Sequence, residues 1–118
     1  MIRTTPRKDK AILRAQVIKS LAHPSRVQMV EALVEGEMCV CDLTEVVGAD
    51  ISTVSKHLAV LKAAGLVSVE KRGLNQFYRL SCPCLQDFFR CVDSINEQHA
   101  RKLQNVCRAQ KQRRVHFR

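Results

Sequence analysis

Apolar residues recur at helical spacing through the first third of the chain. Ala11, Ile12, Ala15, Val17, Ile18, Leu21 and Ala22 predict a helix over residues 8–21. His23-Pro24 ends it, because the residue before a proline is disfavoured in helical backbone. Pro24 suits the first turn of a second helix reaching about residue 35, with Val27, Val30, Leu33 and Val34 on its inner side and Gly36 as its stop. A short third helix is predicted over 40–47, closed by Gly48. A fourth runs from Ser52 or Thr53 to residue 64, with Ser52 as its cap and Gly65 in the left-handed position beyond its end.

Alternation then replaces the helical period. Val67 and Val69 against Ser68 and Glu70 predict antiparallel strands over 66–71 and 76–80, joined by Arg72-Gly-Leu-Asn75. Phe88, Phe89, Val92, Ile95 and Leu103 predict a last helix from residue 85 to at least 106. The order α-α-α-α-β-β-α describes a mainly α chain with a small β-hairpin, the layout of a winged helix-turn-helix. In that layout one helix enters the major groove and the hairpin reaches phosphates or the neighbouring minor groove. On the fourth helix Val54, Leu58, Val60 and Leu61 are assigned to the core. Ser52, Thr53, Ser55, Lys56, His57 and Lys62 are left as the DNA-binding set, with Lys71, Arg72, Asn75 and Gln76 serving the wing. The plainer alternative is an exposed polar helix beside an ordinary hairpin.

Charge sharpens this division. The net charge is +9, yet residues 1–14 hold five Lys/Arg against Asp9 (+4) and residues 99–118 hold seven Lys/Arg and no acid (+7). The 15–98 segment has eight basic and ten acidic residues (−2). Inside it, residues 15–51 carry two basic and six acidic residues (−4), whereas residues 52–79 carry five basic and one acidic (+4). A basic reading segment beside an acidic scaffold is what contact with DNA phosphates favours. The chain therefore divides into a basic N-terminal tail with the start of the first helix (1–14), a DNA-binding domain (15–98) and the end of the last helix with a basic tail (99–118).

Composition removes several classes. A chain of 118 residues supports one modest core, and with no Trp and one Tyr there is little material for base-stacking platforms. The start is polar and basic, and no apolar run nears the ~18 residues a membrane span needs. The expectation is a cytoplasmic protein with no membrane partner and six reduced cysteines. No nucleophile–base–acid set or phosphate loop marks an enzyme.

The stretches Leu21-Ala-His-Pro-Ser-Arg26, Cys39-Val-Cys-Asp-Leu43 and Ser52-Thr-Val-Ser-Lys-His-Leu-Ala-Val-Leu-Lys-Ala-Ala-Gly-Leu66, with Tyr78-Arg-Leu80 ending the hairpin, resemble the ArsR/SmtB family of winged-helix repressors. The resemblance runs from about residue 17 to residue 93. It implies a homodimer built from the first and last helices, and a double-stranded operator with two-fold symmetry. It also implies that the apo-protein binds the operator and an inducer releases it.

Cys39 and Cys41 supply the chemistry for such an inducer. Thiolates favour soft ions, arsenite or antimonite and also Cd, Pb or Zn, and a helix N-terminus favours the thiolate. In a regular helix, residues two apart project about 200° from one another, so both face one ion only if the helix starts beside them or unwinds. In arsenic-responsive relatives a third cysteine follows three residues after the second, where this chain has Thr44. Cys82-Pro-Cys84 is the expected source of a third thiolate, giving Cys39, Cys41, Cys82 and Cys84 as the candidate metal ligands. Cys91 and Cys107 are read as packing or surface thiols. The family's other metal site, built from Asp and His on the last helix, is not reproduced by Asp93, Glu97 and His99. Two alternatives stand beside a metal-responsive repressor: a thiol redox sensor of the same fold, and a metal-binding protein with incidental DNA affinity.

Overall fold

The computed structural model describes the backbone of residues 6–116 and the side chains of residues 7–111. The elements are α1 (Pro6–Ser20), α2 (Pro24–Val34), β1 (Met38–Cys39), α3 (Val40–Val47), α4 (Ile51–Ala63), β2 (Val67–Arg72), β3 (Asn75–Leu80) and α5 (Leu85–His116). Residues 6–14 and 99–116 of the basic ends are thus helical. Residues 1–5 and 117–118 of those ends, and the side chain of His116, lie outside the described residues.

The chain forms two compact units, Met1–Pro83 and Cys84–Arg118. In the first, α2, α3 and α4 bury Met29, Val30, Leu43, Val54, Leu58 and Leu61 completely. Leu66, Val67, Tyr78 and Leu80 add the inward side chains of the hairpin. Val60, assigned to the core from sequence, is instead 40% exposed. His23 begins α2 as predicted: its extended backbone and Nδ1, accepting from the Ser25 amide at 3.0 Å, cap the helix that Pro24 opens.

The hairpin belongs to a three-stranded antiparallel sheet of order β1-β3-β2. β1 has two residues, with Met38 opposite Tyr78 and Cys39 opposite Phe77. Periodicity cannot reveal so short a strand, because its partner rather than its own propensity defines it. β2 and β3 pair from Val67↔Leu80 to Arg72↔Asn75. That leaves a two-residue turn, Gly73-Leu74, with Gly73 at φ +62° in its first position.

The second unit is described by α5. Its exposed Phe88, Ile95, Leu103 and Val106 fall on one side at helical spacing. No helix among the described residues is long and apolar enough to cross a membrane.

Candidate nucleic-acid interface and thiol hollow

Helix α4 is fixed at both ends and along its inner face. Asp50, not Ser52, is its cap: Asp50 Oδ1 accepts the Thr53 amide at 2.7 Å. That bond, first among its causes, holds the Asp50 carboxyl below its ordinary value. An aspartate two residues earlier competes for the same orphan amides, so the helix begins at Ile51 and Ser52 falls within its first turn. At the other end Gly65 (φ +82°) donates to Lys62 O and Leu66 to Leu61 O, both at 3.0 Å, a Schellman closure. Val54, Leu58 and Leu61 lock the inner face, which leaves Ser52, Thr53, Ser55, Lys56 and Lys62 exposed.

His57 departs from the outward set. It is half-buried, its ring 4.4 Å from that of His23, and Arg26 Nη1 lies 3.2 Å from its Nδ1. A guanidinium only donates, so Nδ1 accepts. Arg26 Nε also donates to Ser20 O at 2.6 Å, joining the end of α1 to α4. Burial first, then the charges of His23 and Arg26, holds the His57 imidazole below its ordinary value. The side chain is therefore held against His23 and Arg26 and is less open than its neighbours Ser55 and Lys56. Sequence spacing could not disclose this, because its partner lies 31 residues away.

On the wing, Lys71, Asn75 and Gln76 are exposed, and Leu74 at the tip is 99% exposed. Arg72 is exposed but engaged. Its Nη1 donates to Glu37 Oε1 at 2.6 Å, and its Nη2 donates to Glu37 Oε2 at 3.0 Å and Glu70 Oε2 at 2.9 Å. Its guanidinium also stands 4.8 Å over the Phe77 ring. Arg79 Nη2 reaches Glu37 Oε2 at 3.4 Å. The Glu37 carboxyl is accordingly held below its ordinary value, chiefly by the bond from Arg72. Sequence reading missed Glu37; a lone acid before a strand carries no signal until the strand is paired.

The thiol segment starts in extended backbone. Cys39 (φ −80°, ψ 165°) precedes α3, and Cys41 lies within the first turn of that helix. The 200° separation of a regular helix therefore does not apply to the pair. Both residues, with Val40, line a hollow of about 320 Å³ whose other walls are Ile51 and Ser55 of α4 and Lys71, Leu74, Asn75 and Gln76 of the wing. Thr44 turns its hydroxyl back to Cys41 O at 2.6 Å.

Cys82 and Cys84 are disulfide-bonded, whereas Cys39, Cys41, Cys91 and Cys107 are free. Two of the six cysteines expected as reduced thiols are thus oxidised, and in this state neither lends a thiolate to Cys39 and Cys41. Among the described residues no three His, Cys, Asp or Glu side chains are gathered closely enough to hold a metal. Cys91 and Cys107 are exposed thiols on α5.

A family model described as the arsR family of bacterial regulatory proteins matches residues 23–69. The transcriptional repressor SmtB homolog of Synechocystis sp. is 34% identical over 90 residues, covering 75% of this chain and 68% of that protein. The transcriptional regulator KmtR of Mycobacterium tuberculosis is 37% identical over 93 residues, covering 78% and 70%. Among solved structures, the homodimeric winged helix-turn-helix DNA-binding domain Mb0332 of Mycobacterium bovis superposes with a TM-score of 0.68 at 30% identity, covering 85% of this chain and 94% of that one. Caps, core, wing and relatives agree: the chain belongs to the ArsR family of bacterial regulatory proteins, transcriptional regulators rather than enzymes.

Proposed function

We propose that this protein is a cytoplasmic, homodimeric repressor that leaves its operator when Cys39 and Cys41 bind a thiophilic metalloid or metal, arsenite before antimonite, Cd, Pb or Zn. The observation that carries the reading is the hollow itself. Its walls come from the thiol segment, the start of the reading helix and the wing, so any occupant touches the sensor and both DNA-reading elements at once. Coupling between inducer and DNA is then a local packing event, reciprocal in free energy.

Ser52, Thr53 and Ser55 would approach base edges or phosphates, and Lys56, Lys62 and Lys71 would take phosphates, with Asn75 and Gln76 at the wing. Dimerisation draws support from the exposed stripe Phe88, Ile95, Leu103 and Val106 on α5, from exposed Ile12, Leu13 and Ile18 on α1, and from the homodimeric relative.

A redox reading keeps one specific support. Cys82 and Cys84, an i, i+2 pair like Cys39 and Cys41, are disulfide-bonded in the structure. Reduction of that disulfide is required before Cys82 or Cys84 could add a thiolate to a metal. The experiment titrates the reduced protein on labelled operator DNA with arsenite, then separately with diamide in the absence of metal. Release by arsenite that is lost in Cys39→Ser plus Cys41→Ser supports the proposal. Release by diamide alone supports redox sensing, and arsenite release that survives the double substitution removes Cys39 and Cys41 from the site.

A further inference from the structure

Arg72 holds its charge in a form that DNA would contest. A carboxylate seated in a guanidinium fork has the geometry in which the same fork takes a phosphate. Here Glu37 fills both arms of the fork, Glu70 shares one arm, and Arg79 leans on the same carboxylate. Two acids and two arginines cancel, so the +4 of residues 52–79 overstates the field that the wing presents to DNA. The cluster is open to water, with side chains 43% exposed at Arg72 and 33% at Glu37. A bidentate pair in a four-charge network is the stronger kind of surface ion pair, but its exposure leaves it open to exchange with a second anion. A backbone phosphate offers the fork a similar pair of oxygens and, in addition, the release of condensed counterions.

We propose that Glu37 is a resident stand-in for a DNA phosphate: when the wing meets DNA, Arg72 exchanges the Glu37 carboxylate for a backbone phosphate. Glu37 thereby acts as a built-in brake on DNA affinity, set immediately before the β1 residues that carry Cys39. The inference rests on the reading that the wing contacts DNA and is independent of the thiol reading.

The test measures binding of the full-length reduced protein to a duplex it selects from a random-sequence pool, by anisotropy of the labelled DNA across a salt series. Arg72→Gln is expected to lower the slope of log affinity against log salt by about 0.9, one phosphate contact. Glu37→Gln is expected to leave the slope unchanged and tighten binding about three- to five-fold, the worth of an exposed pair. That gain should vanish in the Arg72→Gln background. A Lys71→Gln control is expected to lower the slope as Arg72→Gln does. If Lys71→Gln lowers the slope and Arg72→Gln does not, Arg72 stays with Glu37 on DNA and the exchange is wrong. If Glu37→Gln tightens binding equally in both backgrounds, the effect is general charge removal and the exchange is again wrong. If neither Lys71→Gln nor Arg72→Gln changes the slope, the wing does not touch DNA and the underlying reading fails with it.

Discussion

The reading helix and the wing are held by different physics. Helix α4 is anchored by three fully buried side chains, Val54, Leu58 and Leu61, and by a hydrogen-bonded cap at each end. The outer half of the wing is anchored by exposed ion pairs around Glu37 and a cation over Phe77. Burial of that kind fixes an element within fractions of an ångström, whereas exposed pairs are individually weak. The backbone register of the wing is fixed by its own ladder, Val67↔Leu80 to Arg72↔Asn75, so the contrast lies in the side chains at its outer half. The thiol segment touches both helix and wing, through the hollow and through the pairing of β1 with β3.

The contrast is broken most severely at the core. Leu58→Ala, at a residue with no exposed surface, should cost about 2–5 kcal/mol in chemical denaturation and remove DNA binding together with the fold. Glu70→Gln on the wing should shift the same denaturation curve by less than about 0.5 kcal/mol. Gly73→Val comes next. At φ +62° a branched side chain costs about 1–2 kcal/mol, and the loss should appear in DNA affinity more than in the melting of α2 and α4. Asp50→Ala should cost about 1 kcal/mol, read as a lower Tm, because the Thr53 amide loses its acceptor.

The smallest effect is in pH. Burial holds the folded His57 imidazole below its ordinary 6.5, so the unfolded chain binds the proton first. Stability contributed by neutral His57 is complete above that value and declines as pH falls through it. The Tm of the wild type should fall between pH 8 and pH 5.5 more steeply than that of His57→Gln.

What the sequence discloses follows range. The third helix is bounded as predicted, Val40–Val47, because its signals, an apolar period and a stopping glycine, are all local. The left-handed Gly65 is legible for the same reason. The cap of α4 is misplaced by two residues because Asp50 and Ser52 are both good caps, and only the fold decides between them. β1, the Glu37–Arg72 pair and the Arg26–His57 contact join residues more than 30 positions apart, so no spacing rule reaches them. For the candidate site, the Cys39–Cys41 pair and most of the outward residues of α4 are legible locally. The inward turn of His57 and the oxidised state of Cys82 and Cys84 are not.

The central claim is that an occupant beside Cys39 and Cys41 is felt by the reading helix and the wing together. Amide hydrogen exchange on the reduced protein, with and without one equivalent of arsenite, tests it most directly. Changed protection at residues 51–56 and at 71–76, with residues 27–33 of α2 unaltered, is the predicted result. Changes confined to residues 39–42, or appearing only around residues 82–91, would contradict the account.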